Sequence, residues 1–454
     1  MADCSIVSLA QLENFQDFSP DYYLPQFLDL AKQLRKWPTA RLSRLAYVTD
    51  GEHGSPQWDP NSGIRYVSAD FIKPNYINDA PMRTISKAQA TRNQRCTLRL
   101  NDVLVYSVGA YAGYSAKAEP HLFPASIPRS VAIIRPLAQS GINSGFLTVF
   151  LNSRFGVFQS KRFRAGNSQP VLALDKIRQF EVPLVPEKLQ MPIGELYDQA
   201  YRLRMLGQKA YNEGRTLLDS NLGLDKLTFA KPMGYVARFS DLKLSRRADA
   251  QHYQPQFDAL FKHLVSFRTA RLRSIKKLNR RGVQPIYING GPVPIVNSQH
   301  LGPRHISYDS LERTSKAIFY AAPVAHILRD DLLIYTTGAY IGRTNVYLSD
   351  EPALASNHVN ILRLQPEVDA AYMSLVMQSV VGQFQTQKHA RGSAQAELYP
   401  SDIDKFVVPL LPTATQKSIG DLLRESLRKE LESKSLLEEA KARVEQLIEE
   451  AVKS

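Results

Sequence analysis

The same twelve-residue phrase occurs twice in this chain, and this repetition constrains the fold more than any other feature. Residues 102–113 read DVLVYSVGAYAG and residues 331–342 read DLLIYTTGAYIG, with seven identical positions at an offset of 229. Other segments repeat in the same order at offsets between 226 and 230: YLPQF with YQPQF, TARL with TARL, and FEVPLVP with FVVPLLP. Self-similarity that keeps its order over most of a chain indicates a tandem duplication.

Each copy has the same internal order. Strand-like runs and short helical runs come first, a strand and a proline turn follow, and a long amphipathic stretch closes the copy. We therefore predict an α/β (α+β) fold with two similar globular domains in tandem and two long helices packed as an antiparallel coiled coil, giving a pseudo-twofold molecule. The predicted segments are domain 1 (1–186), a first helix (187–222), a linker (223–244), domain 2 (245–412) and a second helix (413–454).

The two long stretches carry apolar residues at steps of three and four, with Lys, Arg and Glu between them, as in an amphipathic helix. At about 1.5 Å per residue each helix would be roughly 54–60 Å long. Pairing the helices would bury both narrow apolar stripes; the alternative is that each helix lies on its own domain. The residues predicted to form the pairing face are Ile193, Leu196, Ala200, Leu203, Ile419, Leu423, Leu427, Leu437, Val444 and Leu447.

The net charge indicates the kind of partner. The chain has 57 Lys and Arg against 43 Asp and Glu, a formal charge of +14, and a pI near 9.5. Such an excess favours polyanions, because each cation that meets a phosphate releases condensed counterions. The alternative is a basic surface that serves solubility alone. With no long apolar run, no secretory signal and only two cysteines, we expect a soluble cytoplasmic protein.

Motifs for catalysis are missing from the sequence. It contains no GxxxxGK[ST] phosphate loop, no GxSxG elbow and no histidine spacing that would hold a metal. This favours a binding protein with no cofactor or metal of its own. An enzyme that uses unfamiliar residues is the alternative.

Three groups of residues have the chemistry to contact nucleic acid. Arg-Gly-polar loops combine guanidinium donors with short polar groups that suit phosphates and base edges, and they hold Lys161, Arg162, Arg164, Asn167, Ser168 and Gln169, mirrored by Lys388, Arg391, Ser393 and Gln395. The glycine-bearing loops after the repeated phrase hold Tyr111, Tyr114 and Lys117, then Tyr340, Arg343 and Asn345. A polar turn with His53 and Ser55 occurs in copy one only, and copy two has a basic run in its place: Arg271, Arg273, Lys276, Lys277, Arg280 and Arg281. Two domains of one fold with unlike loops would read two unlike half-sites.

The sequence resembles the specificity (S) subunits of Type I restriction–modification systems over almost its entire length. The resemblance rests on the duplicated layout, on VTDGEHGSP followed by GIRYVSADFI, on the twelve-residue phrase in both copies, and on VPLLPTATQKSIGDLL, where the second helix begins. Copy two lacks the DGxHxxP turn, and copy one has Pro192 where its helix should be under way, so we expect an irregular first turn there.

The resemblance implies a function shared between several chains. Each domain would be a target-recognition domain that reads one half of a split, asymmetric DNA sequence, with the helices setting the gap. Two methyltransferase (M) subunits would bind S-adenosylmethionine and methylate adenine, and restriction (R) subunits would supply ATP- and Mg-dependent translocation and cleavage. The alternatives are a related system in which methylation and cleavage share one partner chain, an unrecognised nuclease, and an adaptor that binds RNA.

Overall fold

A computed structural model describes residues 20–166, 168–230, 232–392 and 395–450. The chain forms two compact units. The first unit combines Met1–Arg204 with Leu431–Ser454, and the second unit is Met205–Glu430. Within the described residues no helix has the length and apolarity to cross a membrane.

The first unit mixes short strands and helices ahead of the first long helix. Its 3-10 turns are Pro20–Tyr23, Ala69–Phe71, Gln94–Cys96, Pro120–Leu122 and Ala138–Ser140. Its helices and strands are α1 (Pro25–Leu34), β1 (Thr39–Arg41), α2 (Leu42–Leu45), β2 (Ala46–Asp50), β3 (Arg65–Tyr66), β4 (Ile72–Lys73), β5 (Tyr76–Ile77), α3 (Lys87–Arg92), β6 (Val103–Tyr106), β7 (Ser115–Lys117), β8 (Ala125–Ser126), β9 (Val131–Pro136), α4 (Ser144–Asn152), α5 (Arg154–Phe163), α6 (Leu174–Ile177), β10 (Glu181–Pro183) and the start of α7 (Glu187–Asn221).

The second unit repeats this order after the end of α7. Its 3-10 turns are Leu224–Lys226, Ala250–Tyr253, Ser298–His300, Tyr308–Ser310 and Pro323–Ala325. Its helices and strands are α8 (Phe239–Ser245), α9 (Pro255–Leu264), β11 (Thr269–Arg271), α10 (Leu272–Ile275), β12 (Lys276–Arg281), β13 (Val293–Val296), β14 (Glu312–Thr314), α11 (Lys316–Ala321), β15 (His326–Ile327), β16 (Leu332–Tyr335), β17 (Thr344–Val346), β18 (Ala353–Ala355), β19 (Val359–Leu364), α12 (Ala370–Gln378), α13 (Val380–His389), α14 (Pro400–Ile403), β20 (Val407–Pro409) and the start of α15 (Thr413–Glu450).

One four-stranded antiparallel sheet occurs in each unit with the same strand order. The order is β2-β9-β6-β7 in the first unit and β12-β19-β16-β17 in the second. A two-stranded ladder closes each unit, β1 with β10 and β11 with β20. The second unit has a further sheet, β14-β13-β18-β15, where the first has the pairs β3–β8 and β4–β5. The predicted mixed fold with a repeated globular part and long helices is confirmed.

Several residues that are identical in the two copies of the repeated phrase have a role in folding. Its aspartates, Asp102 and Asp331, are buried, and each makes a two-pronged ion pair with an arginine of the neighbouring strand, Arg135 or Arg363, with all four N···O distances at 2.7 Å. Breaking a buried pair of this kind leaves an uncompensated charge. The phrase therefore fixes the sheet in both units.

The last glycine of the phrase is required by a close approach. Gly113 has φ +107° and Gly342 has φ +84°, a region that residues with a side chain rarely adopt. A Cβ atom on Gly113 would lie 2.5 Å from Cβ of Ser160 on α5, and one on Gly342 would lie 2.6 Å from Cγ2 of Thr386 on α13. Only glycine lets this turn pack against the helix.

The two long helices pack against each other within each unit. In the first unit the Ser433 hydroxyl donates a 2.7 Å hydrogen bond to the carbonyl oxygen of Ala200. In the second unit, a Cβ on Gly207 would lie 3.0 Å from the Ser426 carbonyl oxygen, and one on Gly214 would lie 3.3 Å from Cβ of Leu422. Residue numbers rise on one helix as they fall on the other, so the helices are antiparallel in the second unit, as predicted. The first helix also continues through Pro192, against the expectation of an irregular first turn.

The helices also complete the core of each unit. Ala440, Val444 and Ile448 of α15 are fully buried in the first core, where they belong to one cluster with Phe27 and Phe146. In the second core Leu218 of α7 and Leu222, which directly follows that helix, join the start of α15. Of the predicted pairing residues, those that are buried are Ile193, Leu196, Ala200, Ile419, Leu423 and Val444, and those that are half-buried are Leu203, Leu427, Leu437 and Leu447.

The two compact units thus meet within the long helices, after residues 204 and 430. The boundaries suggested by the sequence were the starts of these helices, at residues 187 and 413. The physical reason is that the helix faces are wider than a coiled-coil seam and are covered by the globular parts as well as by each other. The alternative arrangement, in which each long helix lies only on its own domain, does not agree with this structure.

The helix α15 provides a direct test of this arrangement. We expect Ile448→Ala to lower the free energy of unfolding of the first unit by about 2–5 kcal/mol, because a buried isoleucine leaves a cavity. Leu431→Ala, at a residue that is 46% exposed on the same helix, is the matched control and should change it by less than about 1 kcal/mol. Denaturant unfolding of the full chain measures both. Equal effects of the two variants would contradict the placement of Ile448.

Candidate nucleic-acid interface

One edge of the four-stranded sheet gathers the predicted contact residues of the first unit. Strand β2 ends, β9 begins and β6 ends there, because Asp50 is opposite Ala132 and Tyr106 is opposite Val131. The loop after α5 reaches the same edge, since Gly109 N donates to Pro170 O and Leu172 N to Ser107 O, both at 2.8 Å. We call this edge, with loops 51–58, 107–114, 127–130 and 164–171, the loop edge of the first unit.

The second unit has an equivalent loop edge. It comprises loops 282–288, 336–343 and 356–358, with residues 391–392 and 395–397. Gly338 N donates to Ala396 O at 3.0 Å and Leu398 N donates to Thr336 O at 2.9 Å, which repeats the link seen in the first unit. Groups that are more than 50 residues apart in sequence therefore meet at one edge in each unit.

Most predicted contacts of the first unit are accessible. The exposed ones are His53, Ser55, Tyr111, Lys161, Arg164, Ser168 and Gln169. Tyr114 is half-buried and stacks on Tyr111 with ring centroids 5.3 Å apart. His53 pairs with Asp50, which also accepts from Arg95; partial burial raises the pKa of Asp50, but these hydrogen bonds outweigh it and hold the pKa below its usual value. Asn167 lies outside the described residues.

Two predicted contacts of the first unit are turned inward. Lys117 lies in strand β7, not in a loop, and its buried ammonium is 2.6 Å from Asp198 Oδ1 and 3.3 Å from Glu119 Oε1. Arg162 is buried, its guanidinium lies over the Tyr22 ring at 3.7 Å, and its Nε donates to the Tyr22 carbonyl oxygen. The carboxylates neutralise the charge of Lys117, and burial removes the guanidinium of Arg162 from solvent. The positions of both residues therefore argue against contact with DNA.

The predicted contacts of the second unit divide in the same way. The exposed ones are Arg271, Arg273, Lys277, Arg280, Tyr340, Arg391 and Gln395. Arg343 is half-buried and lies over the Tyr340 ring at 3.6 Å. Ser393 lies outside the described residues.

Five residues of the second unit have internal partners or no access to solvent. Arg391 is exposed, but its guanidinium donates two hydrogen bonds to the buried carboxylate of Asp402, at 2.9 and 3.1 Å. Lys276 pairs with Asp404, and Arg281 pairs with Glu397. The Lys388 ammonium donates to the His252 carbonyl oxygen at 3.0 Å, and burial lowers its pKa. Asn345 is fully buried beside Leu333 in the sheet. These positions do not support contact with DNA.

The basic run of the second unit does not form one patch. Lys276 is opposite Leu364 and Arg281 is opposite Asn360, so the run follows β12 across the sheet. A strand of six residues is roughly 20 Å long. Arg280 and Arg281 are therefore at the loop edge, whereas Arg271, Arg273, Lys276 and Lys277 are toward the opposite edge.

Several exposed aromatic, aliphatic and cationic residues at or beside the loop edges were not identified from the sequence. In the first unit these are Trp58, Arg83 and Arg129, and in the second they are Ile286, Tyr287 and Tyr399. The Arg83 guanidinium lies 3.5 Å from the Trp58 ring centroid, and that of Arg281 lies 4.9 Å from the Tyr399 ring. An aromatic ring can stack on a base, and the guanidinium that lies over the ring can attract a phosphate. In the described part of the chain no group of His, Cys, Asp and Glu could hold a metal ion.

Comparisons with known proteins found similar solved structures. No protein-family model and no curated protein matches the chain. Among solved structures, it is similar to the S subunit of a Type I restriction–modification system from M. genitalium, with 12% identity, 91% of this chain and 96% of that chain covered, and a TM-score of 0.47. It is also similar to the HsdS subunit from Thermoanaerobacter tengcongensis, with 17% identity, 92% and 96% coverage, and a TM-score of 0.29. The chain resembles solved Type I specificity subunits.

A buried ionisable cluster joins the sheet of the first unit to α7. Glu119 and Lys117 lie beside Tyr197 and Asp198 of the helix, and the Tyr197 hydroxyl accepts from Lys117 N at 3.2 Å. Burial raises the pKa of Glu119 to about 7, although Lys117 opposes the shift. By the repeat, Val346, Leu348 and Leu423 of the second unit occupy the positions of Lys117, Glu119 and Tyr197. Asp198 is matched by Arg424, which pairs with Asp369.

We expect Glu119 to make the stability of the first unit depend on pH. Between about pH 4.5 and 7 the folded state retains a proton that the unfolded state has released, so the free energy of unfolding falls as pH rises through this window, on the order of 2–3 kcal/mol in total. Glu119→Gln should remove this part of the dependence, whereas Glu195→Gln, at an exposed position, should not. Denaturant unfolding at pH 5, 6, 7 and 8 measures the difference, and parallel curves for Glu119→Gln and the parent chain would contradict the burial of this carboxyl.

Proposed function

We propose that this chain is the specificity subunit of a Type I restriction–modification complex, in which each unit reads one half of a bipartite, asymmetric DNA target. The observation that carries the proposal is the pair of equivalent loop edges. The two units share a strand order and the buried Asp–Arg pairs, yet their loop edges present unlike side chains, such as His53 and Ser55 in one and Arg280 in the other. One scaffold with two different reading surfaces suits a target with two different halves.

The charge of the chain supports duplex DNA as the ligand. The net charge of +14 favours phosphate contacts, which position a protein without giving sequence information. Polar and aromatic groups at the loop edges would read base edges, at a cost of roughly 1–3 kcal/mol for each wrong base pair. Because both units belong to one chain, binding of one half-site raises the effective concentration of the second unit at the other.

The paired helices would set the distance between the half-sites. Helices of 35 and 38 residues are roughly 52 and 57 Å long at 1.5 Å per residue, compared with about 34–36 Å for one turn of DNA. Within each unit the two helices pack against each other and contribute to that unit's core. A target with the wrong spacer would then engage only one unit.

The chemistry would reside in partner chains. We infer that two methyltransferase subunits with S-adenosylmethionine bind this chain and modify adenine, and that restriction subunits with ATP and Mg supply translocation and cleavage. The chain itself would be non-catalytic. The first test is to co-express it with its methyltransferase partner and to map methylated adenines in the host DNA. A split sequence with a fixed gap supports the proposal, and methylation without a bipartite sequence contradicts it.

Lengthening both helices together tests the role of the helices. An insertion within 215–222 alone would displace Leu218 and Leu222 from the second core, so we place seven residues after Arg204 and seven after Glu430, where the compact units divide. Seven residues are close to two turns and add about 10 Å. We expect the spacer of the methylated sequence to lengthen by about three base pairs, at 3.4 Å per pair, with both half-sites unchanged.

The matched control inserts seven residues directly after Gly141, where the chain turns at φ +65° and an added Cβ would have no atom within 4 Å. This variant should methylate the original sequence. An unchanged spacer in the double-helix insertion, in a complex that still methylates DNA, would exclude the helices as the determinant of spacing.

A further inference from the structure

A groove of about 650 Å³ lies next to the polar turn in the first unit. Its lining includes Trp58, Tyr66, Asp70, Arg83 and Arg129. It is continuous with the loop edge, because His53 after β2 and Ser130 before β9 also line it. Neither Trp58 nor Arg83 belongs to the motifs that suggested DNA binding.

The Arg83 guanidinium is held in a fixed plane within this groove. Its central carbon is 3.5 Å from the Trp58 ring centroid, and the Trp58 ring is itself held edge-to-face by the buried Tyr66, at 5.5 Å and 87°. The backbone fixes the two partners in register, since Asp59 N donates to Thr84 O at 3.0 Å and Tyr66 N donates to Arg83 O at 2.9 Å.

The hydrogen-bonding edge of Arg83 remains unused. In the part of the chain that the structure describes, its guanidinium makes no hydrogen bond and no ion pair, and the residue is exposed. Stacking leaves the N–H groups directed sideways, in the plane of the guanidinium. A preorganised guanidinium with free donors is suited to two-pronged donation to O6 and N7 of guanine in the major groove, or to a phosphate.

The carboxylates of the groove favour a base edge over a phosphate. Asp70 is exposed and Glu52 is half-buried in the same lining, and their two negative charges offset the positive charges of Arg83 and Arg129, which weakens the attraction to a phosphate. A carboxylate can instead accept a hydrogen bond from N4 of cytosine, the partner of guanine. Resting on the proposed function, we infer that this groove reads one G·C base pair of the half-site bound by the first unit, with Arg83 donating to guanine and Asp70 accepting from cytosine.

The second unit lacks these residues. After β12 its chain reads VQPIYINGGP over 283–292, with Ile286 and Tyr287 exposed, in place of the polar turn and Trp58. The inferred contact therefore concerns one half-site only, and this asymmetry provides an internal control.

The test compares the methylated sequence of complexes that carry Arg83→Ala, Trp58→Ala or the control Arg92→Ala. Arg92 is an exposed arginine on α3 outside the groove. We expect Arg83→Ala to lower the preference for G·C about 10- to 100-fold at a single position of one half-site. Trp58→Ala, which keeps the guanidinium but removes its support, should relax the same position to a smaller extent. Arg92→Ala should leave every position unchanged.

Each outcome decides the inference. Relaxation of one position by both variants supports it. An unchanged methylated sequence, with lower methylation and a weaker salt dependence, identifies a phosphate contact and overturns the inference. An unchanged sequence with unchanged methylation also overturns it. Relaxation of two different positions by the two variants overturns it as well. If the parent complex itself shows no split target, the proposed function fails, whereas a split target that is insensitive to Arg83 removes only the groove.

Discussion

The burial of the end of α15 in the first unit is the contact on which the remaining structure depends. Ala440, Val444 and Ile448 fill a core whose other members come from residues 27–197, and the Trp37 indole donates to the Leu447 carbonyl oxygen at 3.3 Å. Without this segment, part of the buried apolar surface of the first core would meet water. At about 25 cal/mol per Å² of apolar surface, this exposure would cost a large share of the 5–15 kcal/mol that stabilises a typical protein.

The duplication separates residues that hold the fold from residues that are free to change. Asp102 and Asp331 keep their arginine partners, and Gly113 and Gly342 keep their close approach to a helix. The loop edges have changed around them, as Trp58 and Tyr287 illustrate. The contact between the sheet and the long helix also differs between the units, because Lys117 and Glu119 in the first unit are matched by Val346 and Leu348 in the second. A buried ion pair and an apolar contact can be of similar net stability, so this exchange is tolerated.

The features that could be predicted from the sequence were those encoded locally or by repetition. The amphipathic period of residues 413–450 predicts a helix, and the ordered matches predict two equivalent units. Part of each group of candidate residues does meet at one edge of a sheet, whereas Arg271, Arg273, Lys276 and Lys277 are toward the opposite edge and Lys117 and Arg162 are buried. The sequence could not reveal which cations are internally paired, because the partner of Lys117 is 81 residues away at Asp198 and Arg162 is buried by Tyr22. The stacking of Arg83 on Trp58 likewise depends on a ladder between two irregular segments that have no periodic signal.

The placement of residues 431–450 in the first core has a consequence for synthesis. During translation, residues 1–204 leave the ribosome long before the segment that completes their core. The intervening 226 residues take roughly 11–45 s at bacterial and eukaryotic elongation rates of 5–20 residues per second. The second unit needs only residues 205–430 and can fold first, although it is second in the chain. The nascent first half must remain soluble throughout that interval with an open apolar face, which makes it the part of the molecule most in need of a chaperone.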